Sequence, residues 1–195
     1  MHTNGANAVR VDLDKEGPVH DVAWGNETEF GVIYGYMPAK TTLFDLRANP
    51  VATISSGPRN TIKFSPGARF VLVAGFGNLA GTMDIFVRKG KVWERLTTLE
   101  ASNSSVCEWS PDEMFILTGT TSPRLRVDNG VKVWWVGGKL VYKEEMTELY
   151  QVPHPLHRAW ADCTGSMASL SVNVSQSESV ATTENSSVRP CIDGL

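Results

Sequence analysis

Two arginines, Arg124 and Arg126, stand two residues apart in Pro123-Arg124-Leu125-Arg126-Val127-Asp128-Asn129-Gly130, a stretch bounded by proline and glycine as a surface loop is. A guanidinium held on a rigid loop can direct two N–H groups at a phosphate edge, or equally at a carboxylate. Arg59, in the turn Gly57-Pro58-Arg59-Asn60, and Lys40 offer the same positive charge from other turns. Lys40, Arg59, Arg124 and Arg126 are therefore the candidate contacts to nucleic-acid phosphate. The competing reading is that such cations tie neighbouring loops to carboxylates such as Asp128, and the residues alone leave both open.

Other chemistries find less support. Gly75-Phe76-Gly77-Asn78-Leu79-Ala80-Gly81 follows an apolar strand, as a phosphate-cradling loop does. A dinucleotide fingerprint must open a helix, however, and its third glycine is one place late here, before the strand-like Thr82-Met83-Asp84-Ile85-Phe86-Val87. His154, His157 and Cys163 have zinc-ligand types, but a fourth ligand is lacking and prolines interrupt them, so a solvated segment is expected and no metal. No Gly-x-Ser-x-Gly elbow occurs, and no cysteine lies beside an evident base. Glu144-Glu145 and Asp112-Glu113 read as solvated charges at strand ends and turns, and Trp93, Trp109, Trp134 and Trp135 as packing residues. The expectation is a protein without catalytic residues or cofactor.

The elements that would hold these loops follow from a repeat. Lys63-Phe64-Ser65-Pro66-Gly67 recurs as Glu108-Trp109-Ser110-Pro111-Asp112, 45 residues on, and Val22-Ala23-Trp24-Gly25-Asn26 lies 40 residues before the first copy. A period of this size, filled with short β-rich runs, is that of a four-stranded propeller blade. The runs are 19–24, 30–36, 41–46 and 51–54; then 61–65, 70–76, 82–87 and 91–99; then 105–110, 114–119, 131–136 and 139–143. Asn129-Gly130, Gly137-Gly138 and Lys89-Gly90 supply turn residues for hairpins. In 105–110, Cys107 and Trp109 share one face, which predicts a packed Cys107. The alternating run Ala8-Val9-Arg10-Val11-Asp12-Leu13 reads as the outer strand of a preceding blade.

Composition agrees with a folded β protein: 195 residues, 42% hydrophobic and 20% charged. A net charge of -3 supplies no overall attraction to phosphate, so RNA contact has to come from local patches. No apolar run approaches the roughly 20 residues of a membrane helix. Three irregularly spaced cysteines and a polar N-terminus without a signal pattern point to a reducing cytoplasm, where the four Asn-x-Ser/Thr matches would carry no glycan.

Four stretches within these repeats resemble the eukaryotic translation initiation factor 2A family. They are Gly35-Tyr36-Met37-Pro38-Ala39-Lys40-Thr41-Thr42-Leu43-Phe44-Asp45-Leu46, Gly57-Pro58-Arg59-Asn60, Ala74-Gly75-Phe76-Gly77-Asn78-Leu79-Ala80-Gly81 and Pro123-Arg124-Leu125-Arg126-Val127-Asp128-Asn129-Gly130. The likeness runs from about Asn4 to Val152; the b subunit of eukaryotic initiation factor 3 matches these turns less well. The resemblance implies a many-bladed propeller that binds the small ribosomal subunit and helps deliver initiator methionyl-tRNA without GTP, with mRNA and other initiation factors as partners. In the family, blades precede the first unit here and a lysine-rich helical tail follows the last. The expectation is thus an all-β, WD40-like β-propeller fragment: 1–18 an outer strand of an incomplete blade, 19–54, 55–99 and 100–148 three blades, and 149–195 an aborted blade start with a disordered C-terminal tail. A generic WD40-like scaffold for proteins, with no RNA role, is the alternative.

Overall fold

The computed structural model describes residues 9–122, 128–147 and 149–150, all within a compact unit, Met1–Val152. Its described strands are β1 (Val19–Trp24), β2 (Glu29–Tyr34), β3 (Ala39–Asp45), β4 (Pro50–Gly57), β5 (Thr61–Phe64), β6 (Phe70–Ala74), β7 (Thr82–Lys89), β8 (Val92–Glu100), β9 (Val106–Trp109), β10 (Phe115–Thr120), β11 (Gly130–Trp135) and β12 (Leu140–Glu145). They form three antiparallel meanders, β1-β2-β3-β4, β5-β6-β7-β8 and β9-β10-β11-β12. All twelve expected runs are strands, with ends displaced by up to three residues, most at β4, where Ser55, Ser56 and Gly57 still pair with Thr41, Lys40 and Ala39. No helix occurs among the described residues.

The sheets stack because the middle one is apolar on both sides. Along β6 the side chains alternate: Val71 and Val73 join Ile33, Ala39 and Leu43 of the first sheet, while Phe70, Leu72 and Ala74 join Cys107, Ile116 and Trp134 of the third. Every residue of β6 is at most 2% exposed. Burying each large side chain in this way contributes about 1.5–3 kcal/mol, so the two inter-sheet seams dominate the core. Consecutive four-stranded meanders packed face to face in this way are blades of a β-propeller.

Two expectations are corrected. Residues 9–18 form no strand; the described part of the 8–13 run instead lays Val11 and Leu13 on the outer face of the first sheet, against Val32, Tyr34 and Phe44. Its alternating apolar residues are satisfied by side-chain packing on that face. Asn129-Gly130 is not a two-residue hairpin turn, because β10 and β11 are joined over 121–129 and Gly130 already pairs with Thr120. The other two turns do carry left-handed glycines, Gly90 at φ 64° and Gly138 at φ 110°. Cys107 is buried, as its face predicts, and burial pushes its thiol up to about 12, leaving it neutral and packed. The expected tail, from residue 151 onward, lies outside the described residues.

The outer face of the first sheet is only partly covered. A bulge between Val19 and Asp21 puts Val19, Val22 and Trp24 on that face, where they are 52%, 52% and 65% exposed. Trp24 tilts on Phe30 at 5.2 Å and Phe30 stacks on Phe44 at 5.6 Å, which makes a continuous aromatic row. Such a patch favours association. The 195-residue chain is expected to elute above its monomer mass in size-exclusion chromatography with light scattering, and Val22→Thr with Trp24→Ser to shift it toward monomer; a sharp wild-type monomer peak would contradict this.

Candidate functional site

Each meander turns back on itself, so its loops alternate between two rims. The β2–β3, β4–β5, β6–β7, β8–β9 and β10–β11 connections open on one of them. Lys40 at the start of β3 and Arg59 between β4 and β5 therefore share a rim with the glycine-rich 75–81 loop. Arg124 and Arg126 lie outside the described residues.

Arg59 does not stand free. It is 8% exposed, and its Nη2 and Nε donate to Asp84 Oδ2 at 2.6 and 3.2 Å, while Nη1 donates to the Pro58 carbonyl at 3.1 Å. Asp84 Oδ1 in turn accepts from the Thr98 hydroxyl at 2.7 Å. The sequence placed a cation in a turn; what it did not disclose is that Asp84, on β7, shares the first-sheet side of the middle blade with Phe86. Arg59 thus clamps the connection between two blades, the tie that competed with phosphate contact in the sequence reading.

Lys40 is held differently. Its ammonium pairs with Asp14, whose other oxygen accepts from Tyr34 Oη at 2.6 Å, and Tyr34 is linked onward to Thr42 at 3.1 Å and Thr42 to Thr53 at 3.2 Å. The hydrogen bonds from Lys40 and then Tyr34 hold the Asp14 carboxyl below its usual 3.8. Lys15 adds a hydrogen bond to the Pro38 carbonyl, so residues 14–17 are strapped to the β2–β3 turn.

The glycine-rich loop has a packing explanation. A Cβ at Gly75 would lie 2.2 Å from the Pro58 carbonyl oxygen, and one at Gly81, whose φ is +80°, would lie 2.4 Å from that of Ala101. The glycines let three rim loops approach backbone to backbone, with Asn60 bonding both the N–H and the carbonyl of Phe76 at 2.9 Å. The chain then enters a strand, β7. His154, His157 and Cys163 lie outside the described residues.

Lys132, which the sequence reading passed over, is half-buried beside a polar cavity near this rim. A signal was available: in β11 it shares a strand face with Trp134, so a cation stood on a face otherwise read as packed. Also missed were ties between blades. Lys63 donates to Glu108 at 2.6 Å, and these occupy equivalent places in successive repeats. Arg88 holds Glu29 with two hydrogen bonds of 2.8 and 2.9 Å.

Comparison with known proteins matches residues 1–152 to the family model "Eukaryotic translation initiation factor eIF2A". The eukaryotic translation initiation factor 2A of Schizosaccharomyces pombe is 55% identical over 152 residues, covering 76% of this chain and 26% of the relative. That of Saccharomyces cerevisiae is 51% identical over 151 residues, covering 77% and 23%. The chain thus spans about a quarter of the length of these relatives. A crystal structure described as that of the eukaryotic initiation factor superposes with a TM-score of 0.68 at 55% identity, over 72% of this chain and 35% of the other. The Myceliophteria thermophila Cps50 (Swd1) β-propeller domain superposes at 0.52 with 13% identity over 65% and 43% of the two chains, a likeness of fold.

Two outcomes are expected from the ties. Arg59→Met leaves the Asp84 carboxylate buried with one hydroxyl, and costs about 3–5 kcal/mol in equilibrium denaturation, against less than about 1 kcal/mol for Lys40→Met. Because Asp14 is held below its usual value, its tie is fully present above that value and lost as pH falls through and below it. The difference in unfolding temperature between wild type and Asp14→Asn should therefore be present at about pH 6 and vanish toward about pH 2.

Proposed function

Because the chain belongs to the eukaryotic translation initiation factor eIF2A family, we propose that it is a noncatalytic part of an initiation factor that binds the small ribosomal subunit in the cytoplasm. The reading extends to partners of the same process: initiator methionyl-tRNA, delivered without GTP, mRNA and other initiation factors. One observation carries it, the 55% identity over 152 residues to a curated factor of that name. A weaker likeness to the b subunit of eukaryotic translation initiation factor 3, 27% identical over 93 residues in Nicotiana tabacum, points to the same process.

Arg124 and Arg126 carry the proposed contact to ribosomal RNA. Lys40 and Arg59 were candidates on the same grounds, and their engagement with Asp14 and Asp84 gives them an internal role first. That engagement also favours the second reading, a WD40-like scaffold whose loops bind proteins. With a net charge of -3, a ribosome contact has to rest on a few local cations and must weaken with salt.

Sucrose-gradient sedimentation with purified small subunits separates the two. The chain is expected to comigrate at low salt and to be released at high salt. Arg124→Glu with Arg126→Glu should lower the bound fraction about tenfold or more while the β-rich circular dichroism spectrum is retained. No comigration at low salt would leave the scaffold reading in its place.

A further inference from the structure

A polar cavity of about 250 Å³ lies between the turn that leaves β8 and strands β10–β12. Its lining divides by chemistry. Ser104 and Thr120, 2% and 5% exposed, bring hydroxyls that have no hydrogen-bond partner among the described residues. Lys132, on β11 opposite Thr118, brings an ammonium that stands in no described ion pair, although, beside the hydrogen bond from Lys143, its charge helps hold the Glu145 carboxyl below its ordinary value. None of the three has a hydrogen-bonded acceptor among the described residues. Carboxylates also line the cavity: Asp128 accepts from the Asn103 amide at 2.9 Å, and Glu145 is paired with Lys143 at 2.5 Å. Each keeps acceptor capacity toward the cavity.

A ligand for this lining has to offer acceptors to Lys132, Ser104 and Thr120 and a donor to Asp128 or Glu145. A bare phosphate or carboxylate satisfies the first group and meets the second as like charge. A ribose phosphate supplies both, with an anionic group for the ammonium and hydroxyls, and a sugar hydroxyl to donate to a carboxylate. The volume lies just below the roughly 300–1,000 Å³ of sites for drug-sized ligands, which suits one such unit. No aromatic ring lines the cavity, so it offers no platform for base stacking, and recognition would be indifferent to the base.

We propose that this cavity binds one ribose-phosphate unit within a single RNA strand, its phosphate on Lys132, Ser104 and Thr120 and its free 2′-hydroxyl donating to Asp128 or Glu145. The chemistry is read from the cavity; the choice of a strand over a free nucleotide rests on the ribosome-binding reading. The 2′-hydroxyl is the group that separates RNA from DNA at such a site.

Fluorescence anisotropy tests this on the full 195-residue chain with a labelled oligouridylate, the matching oligodeoxyuridylate, and uridine 5′-monophosphate as competitor. Tighter binding of the ribo-oligomer than of the deoxy-oligomer is expected. Lys132→Met should weaken ribo-oligomer binding about tenfold, as loss of a charge-assisted hydrogen bond does, and Thr120→Val should weaken it less, with unchanged circular dichroism. Ser104→Ala, in a loop rather than a strand, repeats the test should a strand variant fail to fold. Equal affinity for both oligomers, or wild-type affinity in Lys132→Met and Ser104→Ala, overturns the site. Displacement by the mononucleotide at concentrations matching the oligomer overturns the strand as its source. The assay contains no ribosome, so its failure with gradient comigration retained removes the cavity and leaves the ribosome reading intact.

Discussion

β6 has no side that faces water. Its five residues are packed alternately against the sheet before and the sheet after, and the period of two along an extended chain is what allows one strand to serve both seams. The consequences reach outward from there. β7 repeats the division, with Met83 and Ile85 on the third-sheet side and Phe86 on the other. The first sheet packs Ile33, Ala39 and Leu43 on the face that meets the middle blade, and its other face varies in polarity. Phe30, Phe44 and Trp24 occupy one end of that other face, and Tyr34, Thr42 and Lys40 the opposite end.

Polar groups then fix what apolar packing leaves loose. Burial is non-directional and tolerates small slides of one sheet over the next. The Asp21 carboxylate accepts from the Ile62 N–H at 2.8 Å, and Trp109 Nε1 donates to the Lys63 carbonyl at 3.2 Å. Ser65 donates to Glu113 at 2.6 Å, and the Gly67 N–H donates to the same oxygen. Those that involve exposed charges contribute little stability singly, but their directions define one alignment of each pair of blades. Arg59 and Asp84 do so from within the protein, where an unpartnered member would be costly.

The strands were legible because β-branched and aromatic runs recur at a blade's period with turn residues between them. Cys107 was legible from parity alone. The N-terminal run was misread because alternation records only which residues want burial; Val11 and Leu13 obtain it by lying on side chains, without a ladder. The basic positions show a related limit. Arg59 in its turn looks like a surface cation until β7 brings Asp84 to it from 25 residues away, and Lys40 until Asp14 arrives from 26 residues before it. Composition and motif reveal charges but not the long-range pairing that occupies them. The cavity was invisible for the same reason, since Ser104, Thr120 and Lys132 come from three separate elements.

A chain built from similar units faces a hazard that a chain of unlike parts does not: a blade can seat against the wrong neighbour and bury nearly as much apolar surface. The Lys63–Glu108 pair bears on this. The two residues hold the same place in successive repeats, and the first repeat has the uncharged Ala23 there. Seating the third blade on the first would leave Glu108 facing alanine, and setting two copies of the middle blade side by side would set lysine against lysine. Different residues at one repeated position thus disfavour such mispairing, by the small amount that a half-exposed ion pair supplies.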